Sequence, residues 1–425
     1  MKRALPSLTS LTPVTLVLVV PVLGPVLGSV LGLVLGLVLG SWVPAAFAQA
    51  PPSPPAPLAT AESAPPPAPG KDFIEEARKL YREVACGGVD HPSNTHCAEL
   101  AALYEKYKTK WLQPAMPWLA KLEPAGLPPQ VVYPFGGGDL LSALATYPEL
   151  TEFTTISLEP AGDIRKIDTV KPAQLSLELT QLRTHLGKLF AVAHSRTENL
   201  SIEAHGDLPG QIVFTMAALA IHGYEPVSLR YFHFNPDGTL KYLTADDIAA
   251  EERAFAQGKK KSSAAREVAI FGDAEIQFRK VGDAAAPVKT LRHVAYNLDD
   301  KHLATDPSLL RHLEAKGKVT AMTKAASHLL WADEFSTIRT YLIDHMVFMI
   351  SDSTGVPPRF LKDTRFVQDT YGTFEGPVSF GTTNKRDGDD LKKLFKANPH
   401  SDLPFRYYGY PDANHHGHVV VTRPK

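Results

Sequence analysis

The fold is decided by residues 130–160, which read QVVYPFGGGDLLSALATYPELTEFTTISLEP. The apolar run at 130–135 predicts a buried strand, and the run at 153–158 predicts a second one. Between them a glycine turn leads into a helix over 140–147, with Asp139 placed to cap its N-terminus. A strand, a helix and a strand in this order fold most readily as a right-handed βαβ unit with parallel strands.

The rest of the chain extends this unit into a larger sheet. Helical periodicity marks 172–190 and 211–223, and a strand follows at 227–234. The alternating stretches 267–278 and 289–298 predict antiparallel strands. We further expect helices over 308–316, 321–331 and 334–351, and a last strand over 418–422. The predicted fold class is α/β: a partly parallel sheet with a Rossmann-like βαβ half, an antiparallel extension and an N-terminal helical cap.

The N-terminus carries the features of an export signal. Lys2 and Arg3 precede an uncharged apolar stretch at 11–43, and small-x-small cleavage patterns lie within 46–50. We interpret 1–50 as a signal peptide. An uncleaved membrane anchor is the alternative, although prolines within the stretch weaken a continuous helix. Both interpretations place the rest of the chain outside the cytoplasm, in the periplasm or the extracellular space.

Composition divides the remainder of the chain. Residues 51–70 are rich in proline and alanine and predict a disordered linker. We expect a helical cap over 71–125 and the α/β domain over 126–425. Lys and Arg number 44 against 45 Asp and Glu, so the net charge of −1 lacks the basic excess of nucleic-acid-binding proteins. The expected partner is an envelope component or a small molecule, with membrane contact only through an uncleaved signal; the cofactor is unknown.

Cys86 and Cys97 are the two cysteines of the sequence. They enclose a turn-rich loop, and the compartment of an exported protein favours a disulfide between them. Closing so short a loop contributes about 3 kcal/mol by the chain-entropy relation. The alternative is a metal site that uses both cysteines together with His91 and His96.

The glycine turn Gly136, Gly137 and Gly138 resembles the phosphate-binding turn of a nucleotide-binding βαβ unit. Its backbone N–H groups would lie beside a helix N-terminus, and Glu159 would end the next strand, where a carboxylate can hold a ribose. S-adenosylmethionine or a dinucleotide would suit this arrangement. However, the spacing is not Gly-x-Gly-x-x-Gly, and Asp139 places negative charge where a phosphate would lie. A related scaffold that binds no cofactor is the alternative.

Asp139 and Glu159 are the first candidates for acid/base catalysis. Both follow parallel strands, at the edge where open α/β sheets bind their ligands. Burial and the charge of one carboxylate could keep the other protonated, as acid/base hydrolysis requires. The alternative is structural, with a helix cap at Asp139 and an ion pair at Glu159.

Lys324 and Ser327 form a second candidate pair, three residues apart on the predicted helix 321–331. They would share one face of that helix, where a desolvated lysine can activate a serine. The order is the reverse of the Ser-x-x-Lys motif, and a plain helix face is the alternative. The sequence contains no Gly-x-Ser-x-Gly motif, which disfavours an α/β-hydrolase.

Two more groups of polar residues have both a functional and a structural interpretation. Asp352 and Ser353 follow an apolar helix, so they would line a ligand pocket or form an ordinary C-terminal turn. The histidines within 415–418, beside Asp412, match a zinc or copper site. A loop before the last strand explains the same histidines.

Several of these motifs resemble an uncharacterised family of exported bacterial proteins. The resemblance begins at 133–139 and at 158–162, where the family reads Tyr-Pro-Phe-Ser-Gly-Pro-Asp and Leu-Glu-Pro-Val-Gly. Further matches are Lys324-Ala325-Ala326-Ser327, Asp352-Ser353, Gly355-Val356-Pro357, Tyr371-Gly372 with Pro377, and Gly409-Tyr410. This chain departs from the family at Gly136, Gly138 and His328. The resemblance implies the fold and the compartment, and it carries no mechanism.

Two hypotheses of function follow from the sequence. The first is an exported envelope protein with a carboxylate-lined cleft that performs hydrolysis. The second is a non-catalytic binding or scaffold protein that keeps an enzyme-like sheet. They differ at Asp139 and Glu159, because an enzyme needs both carboxylates in one accessible cleft. We expect any ligand to contact the glycine turn and the pair Asp352 and Ser353.

Overall fold

The computed structural model describes residues 70–192, 208–258, 262–374, 385–398, 402–405 and 417–425. The strands within these ranges are β1 Gln130–Tyr133, β2 Glu152–Ser157, β3 Tyr224–Phe234, β4 Leu240–Tyr242, β5 Ala274–Lys280, β6 Lys289–Ala295, β7 Val319–Thr323, β8 Met346–Ser351, β9 Phe366–Gly372 and β10 His418–Pro424. The predicted signal and linker and the histidines at 415 and 416 lie outside the described residues.

The helices alternate with these strands along most of the chain. They are α1 Ile74–Glu83, α2 Thr95–Tyr107, α3 Gln113–Leu119, α4 Leu140–Thr146, α5 Lys166–Thr169, α6 Pro172–Val192, α7 Gly210–His222, α8 Ala245–Gln257, α9 Ser263–Phe271, α10 Asp300–Thr305, α11 Ser308–Ala315, α12 Ser336–His345, α13 Pro358–Leu361 and α14 Lys385–Ala397. A π-helical turn, Lys108–Leu112, joins α2 to α3, and 3₁₀ turns cover Ala325–Trp331 and Asp333–Phe335. Among the described helices, none is both long and apolar enough to cross a membrane.

The ten described strands form one mixed sheet in the order β4-β3-β5-β6-β2-β1-β7-β8-β10-β9. The five central strands, β6-β2-β1-β7-β8, are parallel, and the strands outside them pair antiparallel. The α/β class, the βαβ unit and the antiparallel extension are therefore confirmed. From β1 the chain adds β2 and then β6 on one side, and later β7 and β8 on the other. The strand order thus reverses between β1 and β7, which makes that position a topological switch point.

Apolar side chains on both faces of the sheet hold the helices in place. Successive residues of a strand point to opposite faces, and in β1 Val131 and Tyr133 belong to one buried cluster while Val132 belongs to the other. The first cluster includes side chains from α1 through α9, and the second includes side chains from α10 through α14. The N-terminal helices α1 to α3 therefore share a core with one face of the sheet.

Three of the predicted elements were wrong in part. The stretch 267–278 begins with the end of helix α9 and becomes strand β5 only at Ala274. The predicted helix 321–331 is the end of β7 followed by a 3₁₀ turn, and 334–351 contains helix α12 followed by strand β8. Both misassigned strands lie inside the parallel sheet and are buried on both faces. Such strands read as continuous apolar runs, which hydrophobic periodicity does not separate from buried helix.

Candidate functional site

Three loops meet at the switch point, and each carries one charged residue. Asp139 lies six residues after the end of β1, Lys324 directly follows β7, and Asp352 directly follows β8. The three strands are parallel, so their C-terminal ends share one edge of the sheet. The register pairs Thr323 with Ser351, which places the residues that follow these two side by side. We call Asp139, Lys324 and Asp352 the charge cluster.

The ammonium group of Lys324 lies at the centre of the charge cluster. Its Nζ is 3.6 Å from Asp139 Oδ2 and 3.4 Å from Asp352 Oδ2, and it donates a hydrogen bond to Ser142 Oγ at 2.7 Å. Lys324 is 3% exposed and Asp139 is 4% exposed, so water screens these interactions little. Burial alone would lower the pKa of Lys324, but attraction to both carboxylates outweighs it and the pKa is raised. The two carboxylates therefore favour the protonated form of Lys324.

Asp352 is the member of the charge cluster with the perturbed acidity. Burial raises the pKa of its carboxyl to about 6, against the attraction of Lys324, and the nearby charge of Asp139 raises it further. Asp352 therefore changes charge in the weakly acidic range. A carboxyl with this acidity can act as an acid or a base near neutral pH.

Asp139 is held by three different kinds of contact. Its Oδ1 accepts a hydrogen bond from the backbone N–H of Ser142 at 3.1 Å, which is the predicted helix cap of α4. Its Oδ2 accepts a hydrogen bond from the Tyr133 hydroxyl at 3.0 Å and pairs with Lys324. The carboxylate thus links β1, α4 and the loop after β7.

The glycine turn uses its N–H groups internally. Gly138 donates to Gln211 Oε1 at 3.1 Å, Gly137 donates to a carbonyl of β2 at 3.5 Å, and Asp139 donates to Gly136 O at 3.1 Å. A Cβ at Gly138 would lie 2.5 Å from Gln211 Oε1, so close packing requires glycine there. Since Asp139 also caps α4, the N–H groups of Gly137 and Gly138 and the N-terminal end of α4 are already occupied and not directed at a phosphate. This geometry does not favour a nucleotide site.

Glu159 lies apart from these contacts. No hydrogen bond or ion pair between described residues joins its carboxylate to Asp139. Its backbone carbonyl faces Nε2 of buried His293 at 2.8 Å, while Nδ1 of the same ring lies 3.3 Å from Gly137 O. Burial lowers the pKa of His293. The carboxylate that lies near Asp139 in the structure is therefore that of Asp352, whereas the sequence suggested Glu159.

Ser327 and Lys324 do not share a helix face, contrary to the prediction. The Ser327 hydroxyl is 2.9 Å from Thr354 Oγ1 and accepts hydrogen bonds from the N–H groups of Thr354 and Gly355 at 3.1 and 3.2 Å. Lys324 instead contacts Ser142, a residue that sequence reasoning missed. A protonated lysine cannot take the proton of a serine hydroxyl, so this pair is not an activated nucleophile as it stands.

Ser353 belongs to the same group of loop contacts. Its backbone N–H donates to Ser351 Oγ at 3.2 Å, and its carbonyl lies 3.0 Å from Nε2 of His418. Burial lowers the pKa of His418 to about 4. Ser353 is itself half-buried and directly follows Asp352 at the edge of the charge cluster.

Three apolar residues lie in loops that follow strands or helices of the sheet, two of them in ring contact. Phe135 follows Pro134 in the turn after β1 and has a φ of +60°, a conformation that favours glycine. Its ring packs edge-to-face on Phe335, with centroids 5.5 Å apart. Leu158, at the end of the neighbouring β2, is 68% exposed. We call Phe135, Phe335 and Leu158 the apolar rim.

A small cavity lies beside Asp139 on the helical side of the site. Its volume is about 10 Å³, which is close to the least that admits one water molecule. Apart from Gly138 and Asp139, its lining is apolar: Leu141, Leu186, Leu189, Phe190, Phe214, Ala217, Ala218 and Ile221. These side chains come from α4, α6 and α7, so the cavity is a gap between these three helices.

The predicted disulfide is confirmed. Cys86 and Cys97 are joined, with their Cα atoms 5.4 Å apart, and the bond links the end of α1 to the first turn of α2. The ring of His91 is exposed, whereas His96 is buried next to the sulfur atoms.

In comparisons with known proteins, no family model, curated protein or solved structure matches this chain. The function is therefore argued from the geometry of the switch point.

Proposed function

We propose that this protein is an exported, non-catalytic binding protein of the cell envelope, with its ligand site among the loops at the switch point. The observation that carries the proposal is the conformation of Phe135. A bulky residue in the left-handed region costs about 1 kcal/mol or more, and such strain concentrates at ligand sites. Gly136 is the next residue, yet the strained position holds an aromatic side chain. A ligand that uses this ring explains the arrangement.

The charge cluster supports a binding role for the loops around it. Three of the candidate catalytic groups are engaged by their neighbours: Asp139 caps a helix, Lys324 pairs with both carboxylates, and Ser327 hydrogen-bonds to the loop after β8. These contacts join the loops after β1, β7 and β8 to one another. Loops that are already held in place lose less conformational entropy when a ligand binds.

The apolar rim indicates the kind of ligand. Leu158 is exposed and the rings of Phe135 and Phe335 are half-buried, and apolar surface of this kind at the edge of a parallel sheet can bind molecules that present an apolar face. The N-terminal signal expected from the sequence places the ligand among envelope components. The ligand class is therefore an envelope molecule with an apolar surface, in contact with the apolar rim.

Replacing Phe135 with glycine tests this proposal because it removes the ring and the backbone strain together. In co-sedimentation with envelope fractions of the native host, we expect Phe135→Gly to weaken binding at least tenfold, a loss typical of an interface hot spot. The free energy of unfolding should change by less than about 1 kcal/mol, because strain relief offsets the lost packing.

Two serine variants provide the matched comparison for the apolar rim. Leu158→Ser should also weaken binding. Val288→Ser should not, because Val288 is 47% exposed just before β6 and therefore lies at the opposite edge of the sheet. Equal binding by wild type, Phe135→Gly and Leu158→Ser would contradict the proposed site.

Hydrolysis is the second candidate function, and the raised pKa of Asp352 favours it. In this case Asp352 would be the acid, with the carboxyl of Asp139 beside it. Asp352→Asn should then abolish hydrolysis of envelope polymers while binding persists, and the wild-type rate should depend on a group that titrates near pH 6. Envelope binding without any turnover by the wild type would favour the first candidate.

A further inference from the structure

A second group of side chains, remote in sequence from the charge cluster, has the donors of a metal site. The sulfur atoms of Cys86 and Cys97 and one ring nitrogen of His96 all lie within 4.8 Å of one another. Cys97 and His96 are buried, while Cys86 is half-buried and reachable from outside. Two sulfurs and an imidazole are the donor types that zinc prefers. In the disulfide, however, neither sulfur is a thiolate.

Both ring nitrogens of His96 have hydrogen-bond partners that fix the tautomer of the ring. Its Nε2 lies 2.9 Å from the carbonyl of Val84, and its Nδ1 lies 2.8 Å from a guanidinium nitrogen of Arg183. An arginine only donates, so Nδ1 is the acceptor and Nε2 carries the proton. Metal-binding histidines usually donate their second ring N–H to a carbonyl or carboxylate in this manner. The lone pair of Nδ1 is thereby directed at a cation, which in this state is Arg183.

We propose that reduction of the Cys86–Cys97 disulfide converts this group into a zinc site. The ligands are Cys86 Sγ, Cys97 Sγ and His96 Nδ1, and the fourth position is left to water. The disulfide is thus the oxidised state of these side chains, and the zinc site is their reduced, metal-bound state. Arg183 has a second partner, Glu99, 2.7 Å from its Nε, so it can leave His96 and remain paired.

A dithiol reductant supplies the electrons and protons that this conversion needs. The dithiol transfers two electrons and two protons, the S–S bond breaks, and the products are two cysteine thiols and an oxidised dithiol. Zn²⁺ then displaces both thiol protons, which pass to water, and binds the two thiolates. Cys86, the half-buried cysteine of the two, has a left-handed backbone with a φ of +51°.

The test uses Co²⁺ as a spectroscopic substitute for Zn²⁺ on the full chain after reduction under nitrogen. We expect a thiolate-to-cobalt charge-transfer band, the visible bands of tetrahedral Co²⁺, and loss of both on adding one equivalent of Zn²⁺. Oxidised protein should show neither band. In the NMR spectrum of the cobalt form, one shifted exchangeable signal should report the Nε2 proton of the bound imidazole.

Histidine variants identify the third ligand. His96→Ala should weaken Co²⁺ binding by at least about tenfold, whereas His91→Ala, which alters the exposed histidine of the same loop, should bind as wild type. If His96→Ala fails to fold, the shifted N–H signal of the wild-type cobalt form shows whether a histidine is the third ligand. Absence of cobalt bands in the reduced wild type, or equal loss in the two histidine variants, would overturn the proposal.

Discussion

Replacing Lys324 with methionine is expected to lower the free energy of unfolding by about 3–5 kcal/mol, the usual loss when one partner of a buried ion pair is removed. Methionine matches the length of the lysine stem but carries no charge. The carboxylates of Asp139 and Asp352 would then lie close together in a buried place without a cation between them. Denaturant unfolding followed by circular dichroism at pH 7 measures the change.

Two comparison variants separate this effect from the loss of a side chain. Lys318→Met removes an exposed lysine just before β7 and should change stability by less than about 0.5 kcal/mol. The double variant Lys324→Met with Asp352→Asn should recover part of the loss, because the amide carries no charge that Lys324 would have to balance. A loss below about 1 kcal/mol in Lys324→Met alone would show that Lys324 is not the buried counter-ion described here.

Asp352→Asn is expected to remove the pH dependence that Asp352 imposes on stability. The pKa of Asp352 rises from 3.8 in the unfolded chain to about 6 in the folded one. Between these values the folded state holds a proton that the unfolded state has released, so stability falls as pH rises. Asparagine does not titrate, and this fall disappears in the variant.

The size of this pH dependence follows from the difference between the pKa values of Asp352 in the folded and unfolded states. From pH 4 to pH 7 the stability of Asp352→Asn relative to wild type should improve by about 2 kcal/mol, most of the free energy that corresponds to the pKa difference between the two states. Unfolding curves of both proteins at several pH values between 4 and 7 measure it. Asp363→Asn is the control, because Asp363 is exposed after α13 and should show no such trend. Parallel pH profiles for Asp352→Asn and wild type would contradict the assigned acidity.

Local sequence signals were sufficient for the first βαβ unit and for the disulfide. The strands around Val132 and Ile156, the glycine turn and the capping residue Asp139 each have a signature within a few residues. The cysteines could be paired because they are two in number and close in sequence. The parallel pairing of β1 with β2 follows from the short helical connection between them.

Local signals failed where strands were buried on both faces. The segment Met346–Ser351 continues directly from helix α12, and its side chains give no alternation that would reveal a strand. With β7 and β8 assigned to helices, Lys324 and Asp352 could not be placed at the ends of neighbouring strands. The sequence therefore favours Glu159 as the partner of Asp139, since Glu159 is the carboxylate near the end of a strand that has a local signature.

The sequence by itself determined the class of fold, the disulfide pair and the cap of α4, because each depends on residues that are close along the chain. It also singled out Asp139, Lys324 and Asp352 as candidates, though in separate roles. Only the tertiary structure decided that they form one charge cluster. Their distances depend on the strand order across the sheet, and that order is fixed by long-range packing of buried faces that carry no local pattern.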